Sequence, residues 1–242
     1  MKIFKNIFGA IWAVWGIAIF ITTLFIFIIP FCICFLWDEP RRSKISYPIF
    51  RVWMNIYLPM VGVFIRIYGK ENFKKGKNYI VISNHNSLMD VPVLSPYIPG
   101  PNKTIAKIEM SRMPVFGIVY KLGSILVDRK DKESRVKSYM QMKQVLAIGI
   151  HMCIYPEGTR NKTGQPLKEF HDGAFRLAVD TQYEIIPAVL IGTKNILPSN
   201  KSFYFMPGII KCHFLPSLQP GTEIGILKDK AFEIMWNYLE NK

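Results

Sequence analysis

The sequence predicts an α/β fold, in which a mixed, largely buried sheet is covered by helices and preceded by an N-terminal membrane-associated helical motif. From residue 64 onward, short apolar runs alternate with helical stretches, as expected when helices cover a sheet. Before that point, residues 6–37 include no charged side chain. A chain of 242 residues is long enough for one substantial core with appendages.

The uncharged segment, residues 6–37, predicts attachment to a membrane. As one helix it would extend about 48 Å, more than the ~30 Å thickness of the hydrocarbon layer. Two arrangements fit: a strongly tilted span, or a helix broken near Pro30 that returns as a re-entrant or interfacial hairpin. Basic residues flank both ends, so charge does not orient the segment. A cleaved signal peptide is disfavoured, because the segment is too long and no small-residue cleavage site follows.

Residues 45–63 predict a second helix, rich in aromatic and branched side chains. Trp53 and Tyr57 suit the headgroup level of a bilayer, which favours an amphipathic helix lying in the interface. An ordinary core helix is the alternative. The expected organisation is therefore a membrane-anchoring unit over residues 1–63 and an α/β domain over residues 64–242.

The α/β region is expected to contain seven strands and five helices. The predicted strands are 64–68, 78–82, 104–107, 124–127, 152–155, 185–191 and 209–214. The predicted helices are 87–94, 113–122, 132–148, 174–181 and 227–239. Residues 70–77 form a basic turn, and residues 198–207 a long irregular loop.

The net charge of +14 predicts contact with anionic lipid and attraction of phosphorylated substrates. Nucleic-acid binding is excluded as a main function, because the basic residues are dispersed and form no recognisable motif. The four cysteines follow no metal-binding pattern and imply no disulfide framework, which fits a reducing compartment. Cys153 lies inside a predicted strand, where a buried thiol is usually inert.

His85 and Asp90 are the candidate general base and its orienting carboxylate. They lie in residues 84–90, directly after an apolar run at 79–82. Ser87 suits a helix N-cap, which would place Asp90 in the first turn, within reach of the imidazole. Such a bond would fix the tautomer and leave the other ring nitrogen free. The simpler alternative is that Asp90 only caps the helix.

A second constellation is the candidate strand at 124–127, which ends in Asp128 and Arg129. An arginine at the carboxyl edge of a sheet is suited to bidentate recognition of phosphate. A surface ion pair is the alternative. Lys107, at the end of strand 104–107, is a further candidate phosphate ligand.

The third constellation follows the candidate strand at 151–155 and is the most distinctive signal. Glu157 is positioned to accept a hydrogen bond from a substrate hydroxyl, and Gly158 lets a ligand approach the backbone. Arg160 supplies a second guanidinium, and Thr159 lies between them in the same predicted substrate-binding loop.

Taken together, these blocks resemble the lysophosphatidic acid acyltransferase family, the 1-acylglycerol-3-phosphate acyltransferases. The resemblance covers roughly residues 79–189, and its blocks occur in order at the family's spacing. The matching stretches are Asn84-His85-x4-Asp90, Ala106-Lys107-Ile108-Glu109-Met110, Gly123-x4-Asp128-Arg129, Pro156-Glu157-Gly158-Thr159-Arg160 and Ile186-Pro187-Ala188-Val189. One departure is Phe170-His171-Asp172-Gly173, where the family usually has a lysine at the second position.

The resemblance implies transfer of a fatty acyl group to the free hydroxyl of 1-acylglycerol 3-phosphate, without a metal or other cofactor. The implied donor is acyl-CoA or an acyl carrier protein thioester, and the implied partners are membrane lipids and lysophosphatidic acid. The expected location is the cell membrane, a bacterial inner membrane, with the α/β domain facing the cytoplasm.

Several alternatives remain open at this point. The acceptor could be glycerol 3-phosphate or a lyso-ornithine lipid. The chain could instead be a metal-dependent hydrolase with His85, Asp90 and His151 as ligands. A non-catalytic protein that binds anionic membranes is the third class.

Overall fold

The computed structural model describes residues 2–241 and has a single seven-stranded sheet at its centre. The strands are β1 (Val63–Tyr68), β2 (Ile80–Ser83), β3 (Asn102–Lys107), β4 (Ser124–Val127), β5 (His151–Ile154), β6 (Ile185–Ile191) and β7 (Gly208–Phe214). Their order is β1-β7-β6-β2-β5-β3-β4, and only the β6–β7 pair is antiparallel. The predicted mixed α/β fold is confirmed, and each predicted strand lies within two residues of an observed one.

Helices cover both faces of the sheet. They are α1 (Lys2–Ile33), α2 (Arg41–Met60), α3 (Asp90–Leu94), α4 (Phe116–Gly123), α5 (Lys132–Ala147), α6 (Gly173–Thr181), α7 (Thr193–Ile196) and α8 (Ile224–Glu240). Successive strand residues point to opposite faces: Val81 belongs to a core shared with α1–α4, whereas Ile80 and Ile82 belong to a core shared with α5, α6 and α8. The N-terminal helices therefore lie on one side of the sheet, and α5 lies on the other.

The two N-terminal helices form a hairpin, but its turn lies later than predicted. Helix α1 continues through Pro30 to Ile33, and a 3₁₀ turn at Cys34–Leu36 precedes α2. The break near Pro30 is therefore wrong, because this proline lies in the last turn of α1. The second helix covers Arg41–Met60 rather than residues 45–63.

Two predicted helix boundaries in the α/β region are also corrected. Helix α3 begins at Asp90, because residues 87–89 form a turn. The helix predicted at 113–122 begins three residues later, as α4 from Phe116. A 3₁₀ segment, Ile108–Arg112, precedes it. Residues 198–207 have no helix or strand, as predicted.

Helix α1 packs against the protein along most of its length. The indole of Trp12 donates to the Val61 carbonyl at 3.0 Å. Near the middle of the helix, the indole of Trp53 donates to Thr23 Oγ1 at 3.0 Å. Gly9 and Gly16 let the loop at Tyr204 and Phe205 approach closely, since a Cβ at Gly9 would lie 2.4 Å from the Tyr204 ring.

The opposite face of α1 is apolar and exposed. Its exposed large side chains include Ile3, Phe4, Ile7, Ile11, Val14, Ile21, Phe25 and Ile29. An 18-residue window within Ile3–Leu36 has a mean hydropathy of 2.8, and by length and composition this is the one segment of the described chain able to cross a bilayer. An apolar face of this extent is typical of membrane contact.

We predict that Trp53→Ala weakens the α1–α2 hairpin. Trp53 is 2% exposed and its ring contacts Phe20, Phe27 and Phe31. Loss of a buried tryptophan should lower the free energy of unfolding by about 3–5 kcal/mol, measured by denaturant titration in detergent. The matched control is Val52→Ala, at a half-exposed position of the same helix, which should change it by less than about 0.5 kcal/mol. A loss below about 1 kcal/mol for Trp53→Ala would contradict this packing role.

Candidate active site

The predicted site residues follow the carboxyl ends of four neighbouring parallel strands. His85 follows β2, the 156–160 loop follows β5, Lys107 ends β3, and Arg129 follows β4. Because parallel strands end at the same edge of a sheet, segments far apart in sequence meet there. This edge is also where open α/β sheets bind their ligands.

The imidazole of His85 is hydrogen-bonded to a buried carboxylate. His85 Nδ1 lies 2.8 Å from Asp90 Oδ2, which also accepts the backbone amides of Asn86 at 2.6 Å and Ser87 at 2.8 Å. Asp90 is fully buried, whereas the His85 side chain remains 19% exposed. With Nδ1 directed at Asp90, the lone pair of Nε2 is left available as a base.

Ser87 holds the same turn, but not as the predicted N-cap of α3. Its hydroxyl donates to the Leu197 carbonyl at 2.6 Å and accepts the Met89 amide at 3.1 Å. It therefore ties the turn after β2 to the chain after α7. Asn84, which directly precedes His85, exchanges two hydrogen bonds with the backbone of Leu190 in β6, at 2.8 and 2.9 Å.

The main chain of His85 is held by the loop after β5. Its amide donates to Glu157 Oε1 at 2.6 Å, and its carbonyl accepts the amide of Asn161 at 2.5 Å. Asn161 is itself buried, with its side chain bonded to the Gln165 carbonyl and to Thr163. Both backbone groups of His85, its amide and its carbonyl, are thus hydrogen-bonded to the loop after β5. Asn161 lies just outside the Pro156–Arg160 block, and no sequence pattern marks it as part of the site.

Glu157 is placed differently from the expectation that it contacts a substrate hydroxyl. Its side chain is fully buried, and its second oxygen accepts the Lys168 amide at 3.0 Å. Burial raises the pKa of the Glu157 carboxyl to about 7, against the lowering effect of the two backbone hydrogen bonds. Because both oxygens already bond main-chain amides, Glu157 orders the loop rather than the substrate.

Tyr155 packs against the His85 imidazole, a contact that the sequence did not reveal. The two ring centroids are 4.5 Å apart and the planes are tilted by 34°. Burial raises the pKa of the Tyr155 phenol well above its usual range, so the ring stays neutral. Its position as the first residue after β5 was the only available signal.

Several cationic side chains lie at the same edge of the sheet as His85, and two of them contact the 156–160 loop. Arg129 Nη1 donates to the Gly158 carbonyl at 2.5 Å, and Lys168 Nζ donates to Thr159 Oγ1 at 3.0 Å. Lys107 is exposed and Arg160 is half-buried. Within residues 2–241, neither of the last two has a hydrogen bond or ion pair to another side chain, which leaves both charges available to a ligand.

His171, at the position where a lysine was expected, lies against this loop. Its amide donates to the Pro156 carbonyl at 2.9 Å. Gly158 has a φ of +68°, and a Cβ there would lie 2.7 Å from the His171 ring. Glycine is therefore required at position 158 both by its conformation and by the close imidazole. The nearest lysine in this stretch is Lys168.

Comparison with known proteins decides the family. The acyltransferase family profile matches residues 64–191, just over half of the chain. The chain belongs to the acyltransferase family.

Curated relatives are 1-acyl-sn-glycerol-3-phosphate acyltransferases. The protein from Helicobacter pylori is 35% identical over 146 residues, which are 60% of each chain. The protein from Borreliella burgdorferi is 30% identical over 161 residues, 66% of this chain and 64% of the relative. The human alpha form is 30% identical over 177 residues, 72% of this chain and 62% of the relative. The chain thus spans less than two thirds of the length of these relatives.

A solved structure shares the fold over the whole chain. The 1-acyl-sn-glycerophosphate (LPA) acyltransferase PlsC from Thermotoga maritima superposes with a TM-score of 0.80. The superposition covers 100% of this chain and 97% of that one, at 22% sequence identity. At this level of identity the likeness establishes the architecture, including the N-terminal helical hairpin.

His151 lies away from this acyltransferase centre. It begins β5, at the opposite end of the sheet from His85, where its Nδ1 accepts the Tyr79 amide and its Nε2 bonds the Pro99 carbonyl. The metal-ligand set His85, Asp90 and His151 is therefore wrong. In the part of the chain that the structure describes, no three histidine, cysteine or acidic side chains are grouped to hold a metal ion.

Cys153 is fully buried within β5, and burial raises the pKa of its thiol to about 12. A thiol in this environment stays protonated and is a poor nucleophile.

We predict a pH-dependent stability that originates at Glu157. The pKa of this carboxyl rises from 4.5 to about 7 on folding, so between these values the folded chain holds a proton that the unfolded chain has released. The resulting stability is complete below about pH 4.5 and is lost as the pH rises through 7. Between pH 5 and 7.5, wild-type stability should fall by about 2–3 kcal/mol more than that of Glu157→Gln.

Denaturant titrations at several pH values measure this difference. The control is Glu109→Gln, at an exposed acidic residue near the same edge, which should keep the wild-type curve. Parallel curves for wild type and Glu157→Gln would contradict the assignment.

Proposed function

We propose that this acyltransferase moves a fatty acyl group from an acyl thioester to the free hydroxyl of 1-acylglycerol 3-phosphate, producing phosphatidic acid for phospholipid synthesis. The observation that carries the proposal is the His85–Asp90 hydrogen bond, which leaves Nε2 of His85 available beside several cationic side chains. The activity in the names of the curated relatives supports the choice of acceptor.

In this proposal the reaction is a direct transfer. His85 Nε2 takes the proton of the acceptor hydroxyl as its oxygen attacks the thioester carbonyl. The carbon–sulfur bond then breaks, and the imidazolium returns its proton to the leaving thiolate. Asp90 holds the tautomer and stabilises the imidazolium, and no acyl-enzyme intermediate is needed.

The cations would bind the phosphate of the acceptor and thereby position its hydroxyl. Arg129 and Arg160 offer planar guanidinium groups suited to phosphate oxygens, and Lys107 adds a point charge. Lys168 Nζ, near Thr159, is the candidate replacement for the lysine expected at position 171. Glu157 acts by positioning, since its carboxylate connects the His85 peptide to the phosphate-binding loop.

We further propose that residues 1–63 anchor the α/β domain, residues 64–242, to one leaflet of the cell membrane from the cytoplasmic side. Because α1 packs on the protein at Trp12 and Thr23, a full crossing would draw the packed domain into the bilayer. The chain between Leu197 and Phe205 contacts the His85 turn at one end and α1 at the other. One short segment therefore connects the anchor to the turn that holds the candidate base, which suits a lipid acceptor.

We predict that His85→Ala lowers kcat by about 10²–10⁴-fold, because general-base catalysis has this magnitude. Asp90→Asn should also lose activity, since an amide does not enforce the same imidazole tautomer. The assay follows labelled acyl transfer from an acyl thioester to 1-acylglycerol 3-phosphate, with folding checked by circular dichroism. Near-normal turnover by folded His85→Ala would refute the base assignment.

The same assay separates the competing functions. Glycerol 3-phosphate and a lyso-ornithine lipid are offered as alternative acceptors, and preference for either one would redirect the substrate assignment. A hydrolase would release free fatty acid in the absence of any acceptor alcohol.

We predict that Arg160→Ala raises the KM for 1-acylglycerol 3-phosphate by about 10–100-fold, the loss expected for one charge-assisted hydrogen bond. Turnover of the uncharged acceptor 1-acylglycerol should change by less than about twofold. The matched control is Lys162→Ala, which removes an exposed cation two residues away. An equal loss with both acceptors would contradict phosphate recognition by Arg160.

A further inference from the structure

Helix α5 presents an apolar strip to solvent on the side of the sheet away from the membrane anchor. Val136 and Met140, one turn apart, are 59% and 52% exposed. The other side of α5 buries Met142, Val145 and Leu146 in the core shared with α6 and α8. The anchor α1 belongs to the core on the opposite face. A bilayer that holds α1 would therefore lie across the sheet from this strip, which favours a soluble partner.

Basic residues outnumber acidic ones around the strip. Residues 130–143 include five lysines and arginines against two acidic residues, a net charge of +3. One acidic residue, Asp131, is occupied as the N-cap of α5, where it accepts the amides of Glu133 and Ser134. The other, Glu133, is exposed one turn before Val136, so the net positive charge comes from the lysines and the arginine around it. Among the basic residues, Lys143 is paired with Asp180, whereas Lys132 and Lys137 are exposed on either side of the strip. The complementary partner is acidic, with an apolar patch at its centre.

An open groove of about 1160 Å³ leads from this helix face towards the catalytic edge. It runs between α5 and the free side of β4, the edge strand, and Val136 and Lys137 line it. Ile108 and Leu126 line the end near the carboxyl edge of the sheet. The groove thus joins the exposed strip to the region of Lys107 and Arg129.

The distance to the candidate base fits a tethered substrate. In the sheet order β2-β5-β3-β4, three strand spacings separate the end of β4 from the end of β2, where His85 lies. At ~4.8 Å per spacing this is roughly 14 Å. This distance is the last part of the path: the groove first leads an extended phosphopantetheine arm from the strip on α5 to the end of β4, and the arm then carries its thioester from there towards the imidazole.

We propose that the exposed face of α5 is the docking surface for an acidic acyl carrier protein, whose thioester arm lies in the β4–α5 groove. The inference rests on the proposed acyl-transfer function and specifies its donor. The carrier binds through its charge and a small apolar patch, while the arm carries only the acyl group to the site.

The test compares two donors, acyl carrier protein and acyl-CoA with the same acyl chain, on the full-length protein in vesicles with 1-acylglycerol 3-phosphate. The variant Val136→Glu/Lys137→Glu should raise the KM for the carrier donor at least tenfold and change the KM for acyl-CoA by less than twofold. For wild type, kcat/KM with the carrier should fall steeply with added salt, since exposed charges are screened.

The matched control is Ile226→Glu/Lys230→Glu on α8, which makes the same change of charge at an exposed apolar and lysine pair on the same side of the sheet. It should leave both KM values unchanged. An equal rise for both donors in the α5 variant, no rise for either, or no turnover of the carrier donor by wild type would each overturn the docking proposal. So would reduced vesicle binding by the α5 variant, because α5 would then be a membrane contact.

Failure of the proposed function has a different signature. In that case, wild type would transfer no acyl group to 1-acylglycerol 3-phosphate from either donor.

Discussion

The arrangement at the catalytic edge depends on the way the His85 peptide is held by the loop after β5. The amide of His85 donates to buried Glu157, and its carbonyl accepts the amide of Asn161. Two segments more than seventy residues apart are thereby joined through the backbone of one residue. Because the backbone of His85 is held in this way, the hydrogen bond to Asp90 is enough to set the orientation of the imidazole.

The two buried carboxyl groups of the site, Asp90 and Glu157, differ in the hydrogen bonds that offset the cost of their burial. Asp90 Oδ2 accepts three hydrogen bonds within one turn, which offset part of the cost of its burial, whereas its buried Oδ1 has no hydrogen-bond partner in the described residues. Glu157 receives only two backbone amides, and its burial raises its pKa to about 7. The protein thus retains a carboxyl group that is costly to charge, at the position where it connects the backbone of His85 to the chain at Lys168. This cost is consistent with a positioning function rather than a stabilising one.

The two faces of the sheet carry different surfaces. One face carries the α1–α2 hairpin, whose outer surface is apolar. The other face carries α5, α6 and α8, and the basic surface of α5 is directed away from the anchor. The carboxyl edge between the faces holds the imidazole and the cations. The proposed lipid acceptor and the proposed carrier-bound donor would therefore approach one site from different sides without competing for the same surface.

The sequence by itself determined the strands, the α/β class and the residues of the site, because apolar runs mark buried strands and the polar blocks directly follow them. It also identified the apolar N-terminal segment. Only the tertiary structure decided that Glu157 faces the backbone, that His151 lies at the far end of the sheet, and that Asn161, Tyr155 and Lys168 join the site. The physical reason is that local pattern records which side chains are apolar or charged, whereas strand order and loop packing decide which of them meet. The continuation of α1 through Pro30 was decided in the same way, because Phe27 and Phe31 on either side of the proline pack against Trp53 of α2.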